Sequence, residues 1–446
     1  MKPGSLKIIV VGAGLAGLAA AWRLARAGAS VTLLEREQWA GGRLRGERHE
    51  GFLLSPGLGT LCEADRRLLA LVGELGLAEE WLPLRPVSVA VAHRGKLHDV
   101  ALRGLRDVRR IPGVGFRQGV RLVRLPRLMA RYADALELEN PAAAARLDDR
   151  SAEDFGRLYF GRDVFERWMA PCVERAAPGD LHDMSRVQFL MDARRPGSAR
   201  LGLPRGSFDE VVERVGQQLE LRLATEVEQV HAAPRGAVRL ATSAGVLEAD
   251  AVVIATDSAA ALRLATPVLT TAERTHLQAV RYAPLLTLAA GLCRPASSRP
   301  RELQIPRPET SLLSRVLLEP GLATGRVPGK RGIAWLRART ELFEASRDVA
   351  DDVVSKQLVE GLDRLMPGWL RTVDFTRVFR SERAAPRFDV GHYRALARFE
   401  AVQRDRREAG RGLYFAGDHL VHPSPEGAVV SAERAAAALL EDLALS

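Results

Sequence analysis

The sequence predicts an α/β fold in which a parallel sheet with helices is interleaved with a second, α+β domain that carries a helical lobe. A short β-branched run at 7–11 is followed by three spaced glycines and an Ala- and Leu-rich stretch, which is the pattern of a buried strand, a turn and a helix. A buried apolar run returns at 251–256, and a strand-then-helix pattern returns at 412–433. At 446 residues the chain is too long for one simple core, so we expect two domains.

The first element, Lys7–Val11, leads into the spacing G-x-G-x-x-G at Gly12, Gly14 and Gly17. In such a motif the first glycine allows a tight turn, the second lets the backbone approach a pyrophosphate, and the third lets the helix pack close to the strand. The stretch 18–27 contains no helix breaker and predicts that helix, whose N-terminal N–H groups point at the phosphates. The motif therefore predicts a dinucleotide site.

The second strand, Ser30–Leu34, ends in Glu35, about 20 residues beyond the start of the motif, where a carboxylate can bond both ribose hydroxyls of an adenosine. A second glycine pair follows in Gly41-Gly42-Arg43. NAD-dependent domains of this type do not need that pair, so it bears on which dinucleotide binds.

The glycine pair resembles the continuation found in the flavoprotein superfamily of amine oxidases, protoporphyrinogen oxidases and phytoene desaturases. The resemblance extends over essentially the whole chain and implies non-covalent FAD. In that family the paired glycines fold the loop over the diphosphate, and the arginine, here Arg43, contacts it. A strand that ends in Gly417-Asp418 and a helix that begins near Glu426-Gly427 are similar to the family's last cofactor segment, in which the aspartate holds a ribityl hydroxyl.

Two further positions follow from the resemblance: Gly57, in a segment that passes beside the flavin ring, and Val227, whose backbone contacts the adenine. The residues that the resemblance places against FAD are Gly12, Gly14, Leu15, Ala16, Gly17, Glu35, Arg36, Gly41, Gly42, Arg43, Gly57, Val227, Gly417, Asp418, Gly427, Ala428 and Val429.

The same pattern divides the chain into alternating parts. We expect residues 1–84, 203–270 and 405–446 to build the FAD-binding domain, and residues 85–202 and 271–404 to build the substrate domain, the former with a basic helical lobe. The strand at 251–256 is expected to close the parallel sheet. The Pro- and Arg-rich stretch Arg294–Thr310 predicts a surface loop.

Two departures from the family bear on the substrate. Amine oxidases usually place a lysine near the flavin on the strand where this chain has Leu286-Thr287-Leu288, and a tyrosine where it has Ser424. The resemblance therefore implies an FAD-dependent oxidoreductase that removes hydride from a C–H next to C or N of a bulky apolar substrate, similar to protoporphyrinogen oxidases or desaturases. A flavin amine oxidase and a non-catalytic FAD-binding component of a biosynthetic complex remain the alternatives. The segments that hold His392, His419 and His422 can approach the flavin, which makes these side chains the candidates for a catalytic base.

The composition bears on which classes of partner the chain could bind. The net charge is +10, and the basic residues are almost entirely arginine. Nucleic-acid binding is not predicted, because the sequence shows no basic patch with interleaved aromatic residues. The basic, amphipathic segment 103–131 favours either peripheral contact with a membrane or a solvated arginine face. No signal peptide or transmembrane run is evident, so a cytoplasmic protein is expected. The three isolated cysteines suggest neither a metal site nor a thioether to flavin. The electron acceptor, whether oxygen, a quinone or another carrier, and the oligomeric state stay open.

Overall fold

The computed structural model describes residues 6–57, 61–77, 81, 83, 85–100, 105–176, 179–194, 200–297, 301–310, 312–319 and 325–445. Its strands are β1 (Lys7–Val11), β2 (Ser30–Leu34), β3 (Glu47–His49), β4 (Phe52–Leu54), β5 (Leu61–Cys62), β6 (Arg85–Pro86), β7 (Ser88–His93), β8 (Lys96–Val100), β9 (Arg200–Gly202), β10 (Glu220–Arg222), β11 (Val227–Ala232), β12 (Val238–Thr242), β13 (Gly245–Ala249), β14 (Ala251–Ile254), β15 (Tyr282–Leu292), β16 (Arg301–Gln304), β17 (Leu313–Leu318), β18 (Gly332–Ala338), β19 (Val373–Pro386) and β20 (Leu413–Phe415).

The α-helices are α1 (Leu15–Arg26), α2 (Arg66–Glu74), α3 (Phe116–Arg121), α4 (Arg124–Arg131), α5 (Ala152–Tyr159), α6 (Arg162–Val164), α7 (Ala170–Ala176), α8 (Arg186–Arg194), α9 (Asp209–Gly216), α10 (Ser258–Ala265), α11 (Thr271–Ala279), α12 (Thr340–Ala345), α13 (Asp351–Asp363), α14 (His392–Glu408) and α15 (Pro425–Leu445). Among the described helices, none is both long and apolar enough to cross a membrane.

A five-stranded parallel sheet has the order β10-β2-β1-β14-β20, so its strands come from three separate stretches of the chain. The predicted α/β class with a parallel sheet is confirmed. The strand at 251–254 does not close the sheet, because β20 pairs along its outer side. Parallel strands are buried on both faces, which is why β1 and β14 are almost continuous apolar runs.

Two separate cores cover this sheet. On one face, Ile8 and Val10 pack with helices α1, α9 and α15. On the other face, Ile9 and Val11 pack with the antiparallel sheet β11-β12-β13 and with α10, α11 and α14. The alternation of adjacent β1 side chains between the two cores follows from the two-residue period of a strand.

A seven-stranded sheet with the order β19-β15-β18-β17-β16-β7-β8 forms the second domain, and helix α13 packs on it through Val354, Leu358 and Leu362. The expectation of a surface loop over Arg294–Thr310 is wrong in its central part. Strand β16 lies inside the sheet, antiparallel to β17 and parallel to β7, and its residues Glu302, Leu303 and Gln304 are buried.

A helical lobe built from α3 to α8 lies against this second sheet, and its core is rich in aromatic side chains such as Phe155, Phe160 and Phe189. Between α6 and α7 the chain makes a π-helical turn, Phe165–Met169. Such turns are rare and occur often at functional sites. The basic segment predicted at 103–131 forms α3, α4 and a 3-10 turn at Leu105–Arg110 on the lobe surface, and its first two residues lie outside the described part of the chain.

One buried arginine joins the two domains. The Arg326 guanidinium donates to Glu319 Oε1 at 3.0 Å and to the carbonyl oxygens of Pro204 and Leu53 at 2.9 and 3.2 Å. Both charged side chains are almost fully buried, at 1% and 2% exposure. Trp335 Nε1 donates to the second oxygen of Glu319 at 2.8 Å.

Candidate active site

A cavity of about 770 Å³ opens where the strands of the parallel sheet end at their carboxyl side, and it continues between the seven-stranded sheet and the helical lobe. The crevice at the carboxyl ends of the strands is where open α/β sheets bind their ligands. The cavity has two parts with different linings. We call them the nucleotide part, which lies against the parallel sheet, and the substrate part, which lies against the lobe and the second sheet.

The glycine motif forms the base of the nucleotide part. Gly12 has a φ of +99°, which favours glycine, and a Cβ at Gly17 would lie 1.8 Å from the carbonyl oxygen of Gly12. No side chain caps the N-terminus of α1, and the second glycine loop packs over it, with the Gly42 Cβ position 3.2 Å from Gly14 Cα. The result is a close, backbone-lined cradle at a helix N-terminus, which fits a pyrophosphate.

Glu35 lies beside this cradle and is fixed by the backbone. Its Oε2 accepts a hydrogen bond from the N–H of Ala13 at 2.8 Å, and its Oε1 accepts one from Glu37 at 3.1 Å. Glu35 and Arg36 both line the cavity, as does Val227. These are the residues that the sequence predicts at an adenosine.

Arg43 and Asp418 form an ion pair, and both side chains line the cavity. Arg43 donates to Asp418 Oδ2 at 2.8 Å and to the carbonyl oxygen of Ala384 at 2.9 Å. Near them, burial raises the pKa of Tyr282 to about 12, and the Asp418 carboxylate adds to this rise. The Tyr282 hydroxyl accepts a hydrogen bond from the Ser258 N–H at 3.0 Å.

Only some of the predicted cofactor residues in the C-terminal segment line the cavity. Gly417 and Ala428 line the cavity, whereas Gly17, Gly427 and Val429 do not; the other predicted cofactor contacts all do. Glu426, next to these residues in sequence, contacts helix α2. Its carboxylate accepts hydrogen bonds from the N–H groups of Arg67 and Leu68 at 2.8 and 2.9 Å, and so caps α2.

None of the three candidate histidines, His392, His419 and His422, lines the cavity. His392 and His419 lie behind the wall with His276, and burial lowers the pKa of His276 to about 2 and those of His392 and His419 to about 4. The proximity of the other histidines adds to the lowering at His276 and His392. These rings are therefore neutral at physiological pH.

His422 connects two residues that do line the cavity. Its Nε2 lies 3.3 Å from Asp192 Oδ1, and its Nδ1 lies 3.0 Å from Ser424 Oγ. Ser424 Oγ also accepts a hydrogen bond from the Gly427 N–H at 3.1 Å. Asp192 Oδ2 is buried and has no hydrogen-bond partner among the described residues.

The substrate part has apolar walls and a polar floor. Trp168, in the π-helical turn, forms a wall with Phe189 of α8 and Leu285 of β15. On the floor, Gln304 of β16, Arg315 of β17 and Arg337 of β18 reach the cavity from three adjacent strands. Sequence reasoning missed all of these residues, because it is the pairing of distant strands that brings them together.

Two cysteines also line the cavity, Cys62 and Cys172. No sequence motif indicated a cysteine at this cavity, because both cysteines lie far along the chain from the Gly417-Asp418 segment. Among the described residues, no group of three His, Cys, Asp or Glu side chains is arranged to hold a metal ion.

The fold and the backbone-lined cradle indicate a dinucleotide-binding α/β protein with a second domain that forms the other side of the cavity. Residues 15–440 match the family described as flavin containing amine oxidoreductase. The chain belongs to this family, and it is a flavin-dependent oxidoreductase.

Individual relatives differ in the reaction for which they are named. The chain is 30% identical over 433 residues to the carotenoid phi-ring synthase of Streptomyces griseus, covering 87% of this chain and 79% of that protein. It is 39% identical over 194 residues to protoporphyrinogen oxidase 2, chloroplastic/mitochondrial, of Arabidopsis thaliana, covering 42% of this chain and 35% of that protein.

Solved structures of the same fold include amine oxidases. Cyclohexylamine oxidase from Brevibacterium oxydans superposes with a TM-score of 0.76 at 18% identity, covering 98% of this chain and 99% of that one. Putrescine oxidase bound to putrescine gives a TM-score of 0.78 at 19% identity, with coverages of 98% and 99%. At these identities the likeness concerns the fold.

Proposed function

We propose that this protein is an FAD-dependent oxidoreductase that removes hydride from a C–H next to C or N of a bulky, largely apolar substrate. The observation that carries the proposal is the continuity of the cavity, which leads from the cradle at Gly14 and Gly42 to the walls formed by Trp168 and Phe189. A substrate bound against these walls would meet a flavin whose phosphates lie in the cradle.

The residues of the nucleotide part fit FAD. The uncapped N-terminus of α1 suits the pyrophosphate, and the fixed carboxylate of Glu35 suits a ribose. Asp418, buried and facing Arg43, suits a ribityl hydroxyl. When bound, FAD would supply the two-electron redox chemistry, while the protein supplies orientation and exclusion of water.

The substrate part favours an apolar molecule over a small amine. Among the described residues that line the cavity there is no lysine, and position 424 carries a small hydroxyl instead of an aromatic ring. The named reactions of the relatives, on carotenoids and porphyrinogens, support the same choice. Protoporphyrinogen-type or polyene substrates are therefore proposed ahead of amines.

Removal of hydride leaves a substrate proton to be accepted. We assign this proton to Asp192 Oδ2, because the atom is buried at the cavity without a described partner. His422 Nε2 lies 3.3 Å from the other carboxylate oxygen, and its Nδ1 lies 3.0 Å from Ser424 Oγ. Bound FAD would supply the acceptor for the hydride, and Asp192 would take the substrate proton. An electron acceptor such as oxygen or a quinone would then restore the oxidised cofactor.

We propose that FAD is held without a covalent bond, although Cys62 and Cys172 line the cavity. Acid precipitation of the purified protein tests this directly. Release of the yellow cofactor into the supernatant is the expected result. Flavin that stays with the pellet, and is released only when one cysteine is replaced by serine, would show a thioether.

Anaerobic stopped-flow absorbance tests the proposed activity. The holoprotein is mixed separately with protoporphyrinogen, a polyene precursor and a set of amines, and the oxidised-flavin band is followed. Rapid bleaching by an apolar donor is the expected result. Bleaching by amines alone would overturn the substrate choice. A firmly bound FAD that no donor reduces would favour the non-catalytic component of a biosynthetic complex.

A peripheral membrane role is proposed for the segment 103–131. Phe116, Val120 and Val123 follow one another at spacings of four and three residues and are exposed by 74%, 45% and 60%. Exposed arginines at 117, 121, 124 and 127 surround them. Apolar side chains flanked by arginines match an anionic lipid surface. Sedimentation with anionic vesicles, compared with neutral ones, tests this proposal, and Phe116→Ser should reduce the bound fraction.

A further inference from the structure

A second cavity, of about 320 Å³, adjoins the nucleotide part, and we call it the side groove. Its defining side chains are Val280, Tyr282, Pro284, Phe343, Arg347 and Arg383. Tyr282 and Arg383 line the large cavity as well. Arg383 pairs with Asp257 at 3.3 Å, directly before the start of α10. These two side chains therefore stand between the side groove and the nucleotide part.

An irregularity in the second sheet builds this shared wall. Strands β15 and β19 pair on either side of Pro284, but opposite this one residue β19 carries the residues 382–384. The carbonyl oxygen of Ala384 accepts a hydrogen bond from Arg43 at 2.9 Å, whereas Arg383 also lines the groove. Bulges of this kind are frequent next to active sites, where they re-aim side chains. One short stretch of β19 thus contacts both the cofactor cradle and the groove.

The side groove has an apolar base and a charged rim. Phe343 is 3% exposed, Val280 is buried, and the Arg347 guanidinium carbon lies 5.9 Å from the centroid of the Phe343 ring. Glu344 and Glu382 lie 3.0 and 3.7 Å from Arg347. Among the described residues that line the groove, two glutamates therefore match two arginines. An ionic ligand finds no net opposite charge there, so the groove favours a neutral one.

Both arginines keep hydrogen-bond donors for such a ligand. Arg347 donates to Glu344 at 3.0 Å, and Arg383 donates to Asp257 at 3.3 Å. Because a guanidinium carries five N–H donors, these bonds leave donors over at the rim. The groove therefore combines an aromatic base with rim donors, which suits a flat, uncharged ring that carries carbonyl oxygens.

We propose that the side groove binds a quinone and that this quinone is the electron acceptor of the reaction. Its ring would pack on Phe343, and its carbonyl oxygens would accept hydrogen bonds from Arg347 and Arg383. Overall, the substrate loses a hydride and a proton, and the quinone gains two electrons and two protons to become a hydroquinone. The exposed rim lets these protons exchange with water. This inference rests on the proposed function, since it names the acceptor for the same cofactor.

Equilibrium dialysis tests the groove without any turnover. The probe is duroquinone, whose fully substituted ring leaves no position for attack by a thiol. We expect saturable binding to the purified protein both with and without FAD, because the groove is formed by the protein alone. The absence of saturable binding would overturn the inference.

Two substitutions locate the bound quinone. Ala259→Phe fills the groove and Arg347→Gln removes a rim donor, so each should weaken duroquinone binding about tenfold or more. Arg377→Gln is the matched control and should bind like the wild type, since Arg377 lies in β19 and is 53% exposed, against 54% for Arg347. If Ala259→Phe does not fold, the exposed Arg347 decides alone. Wild-type affinity in Arg347→Gln would place the quinone elsewhere and overturn the inference.

Reoxidation kinetics test whether the groove serves the cofactor. The holoprotein is reduced anaerobically with one equivalent of dithionite and mixed with duroquinone, and the return of the oxidised-flavin band is followed. The rate should saturate at quinone concentrations near the dissociation constant from dialysis. Arg347→Gln should raise the half-saturating concentration about tenfold. A rate that is the same in Arg347→Gln and the wild type at every concentration would refute the acceptor role.

Failure of this inference differs from failure of the proposed function. A protein that is reduced by an apolar donor and reoxidised by oxygen, yet does not bind duroquinone, refutes the side groove only. A protein that cannot be loaded with FAD refutes the proposed function, and dialysis still tests the groove because it needs no flavin.

Discussion

The two parts of the cavity are built in opposite ways. The nucleotide part is formed largely by backbone, with Gly12, Gly17 and Gly42 packed closely against other backbone atoms. Most of its residues come from short stretches that follow β1, β2, β10, β14 and β20. The substrate part is formed by side chains that come one at a time from β15, β16, β17, β18, the π-helical turn and α8. The proposed cofactor site is thus built from local motifs, whereas the proposed substrate site is a surface that exists only after distant strands have paired.

The two linings should respond differently to substitution. At Gly12, Gly17 and Gly42 the neighbouring backbone leaves little or no room for a Cβ, whereas a Cβ at Gly14 would enter space that the ligand is expected to fill. In the substrate part, the chemistry of individual side chains decides, and a substitution can change reactivity while the flavin stays bound. The four predictions below test this contrast, beginning with the largest expected effect.

Asp192→Asn should separate the two parts most clearly. Loss of the proton acceptor is expected to slow flavin reduction by the best donor about 10²- to 10⁴-fold, while the affinity for FAD stays the same. Stopped-flow reduction and a flavin titration measure the two quantities. Asp183→Asn, in the same lobe but in an ion pair with Arg387, is the control and should change neither. An unchanged rate in Asp192→Asn would remove this residue from the chemistry.

Arg326→Met should break the connection between the two domains. The substitution leaves Glu319 buried without its cation, and the lost bonds to Leu53 and Pro204 add to the effect, so we expect a cost of about 3–5 kcal/mol in the free energy of unfolding. Urea denaturation measures it. Arg377→Gln, in an exposed pair, should cost about 0–1 kcal/mol. Equal effects of the two substitutions would contradict the structural role given to Arg326.

Two glycine substitutions should distinguish a glycine that protein packing requires from one that only the bound cofactor requires. Gly17→Ala places a Cβ 1.8 Å from a backbone oxygen, so we expect about 1–3 kcal/mol of destabilisation even without flavin. A Cβ at Gly14 meets no protein atom within 4 Å, so Gly14→Ala should melt like the wild type without flavin. It should nevertheless bind FAD about tenfold or more weakly, because the pyrophosphate needs that space. Wild-type FAD affinity in Gly14→Ala would place the phosphates elsewhere.

The buried histidines behind the wall predict a pH effect of smaller size. Burial lowers the pKa values of His276, His392 and His419 in the folded state, whereas an unfolded histidine titrates near ~6.5. Between pH ~6.5 and about 4 the unfolded chain binds more protons, so stability falls as the pH falls through this window, by up to about 1.4 kcal/mol per pH unit for each histidine.

His276→Phe tests this pH effect, because His276 stacks on Phe399 with ring centroids 4.5 Å apart and a phenyl ring can take its place. The variant should lose stability less steeply on acidification when denaturation is followed between pH 7 and pH 5. His182→Asn, at an exposed position, should keep the wild-type slope. A slope that is the same in His276→Phe and the wild type would mean that His276 does not remain neutral.

The same contrast explains what the sequence could predict. The bounds of β1 and β2 and the turn at Gly12 were predictable, because strand, turn and helix are encoded by neighbouring residues. Strand β16 was not, because four residues inside a Pro- and Arg-rich stretch become a strand only when β7 and β17 pair on either side. The assignment of Glu426 to the flavin segment missed its contacts with the start of α2, which lie 359 and 358 residues earlier in the chain.

Asp192, Arg315 and Arg337 belong to the second kind of feature. Asp192 is one acid among many in the sequence, and only the approach of His422 from the far end of the chain distinguishes it. Arg315 and Arg337 belong to a chain rich in arginine, and only the strand register places them opposite each other. A covariation between such paired positions is the signal that could have found them.

The order of strands in the parallel sheet also concerns biosynthesis. Strand β20 and helix α15 complete the cofactor domain next to β14 and α1, although the ribosome makes them some 400 residues after β1. The emerging chain lacks one side of the cofactor cradle until this segment has left the exit tunnel, and until then the edge of β14 is unpaired. We therefore expect flavin to be bound late in folding, after β20 has paired.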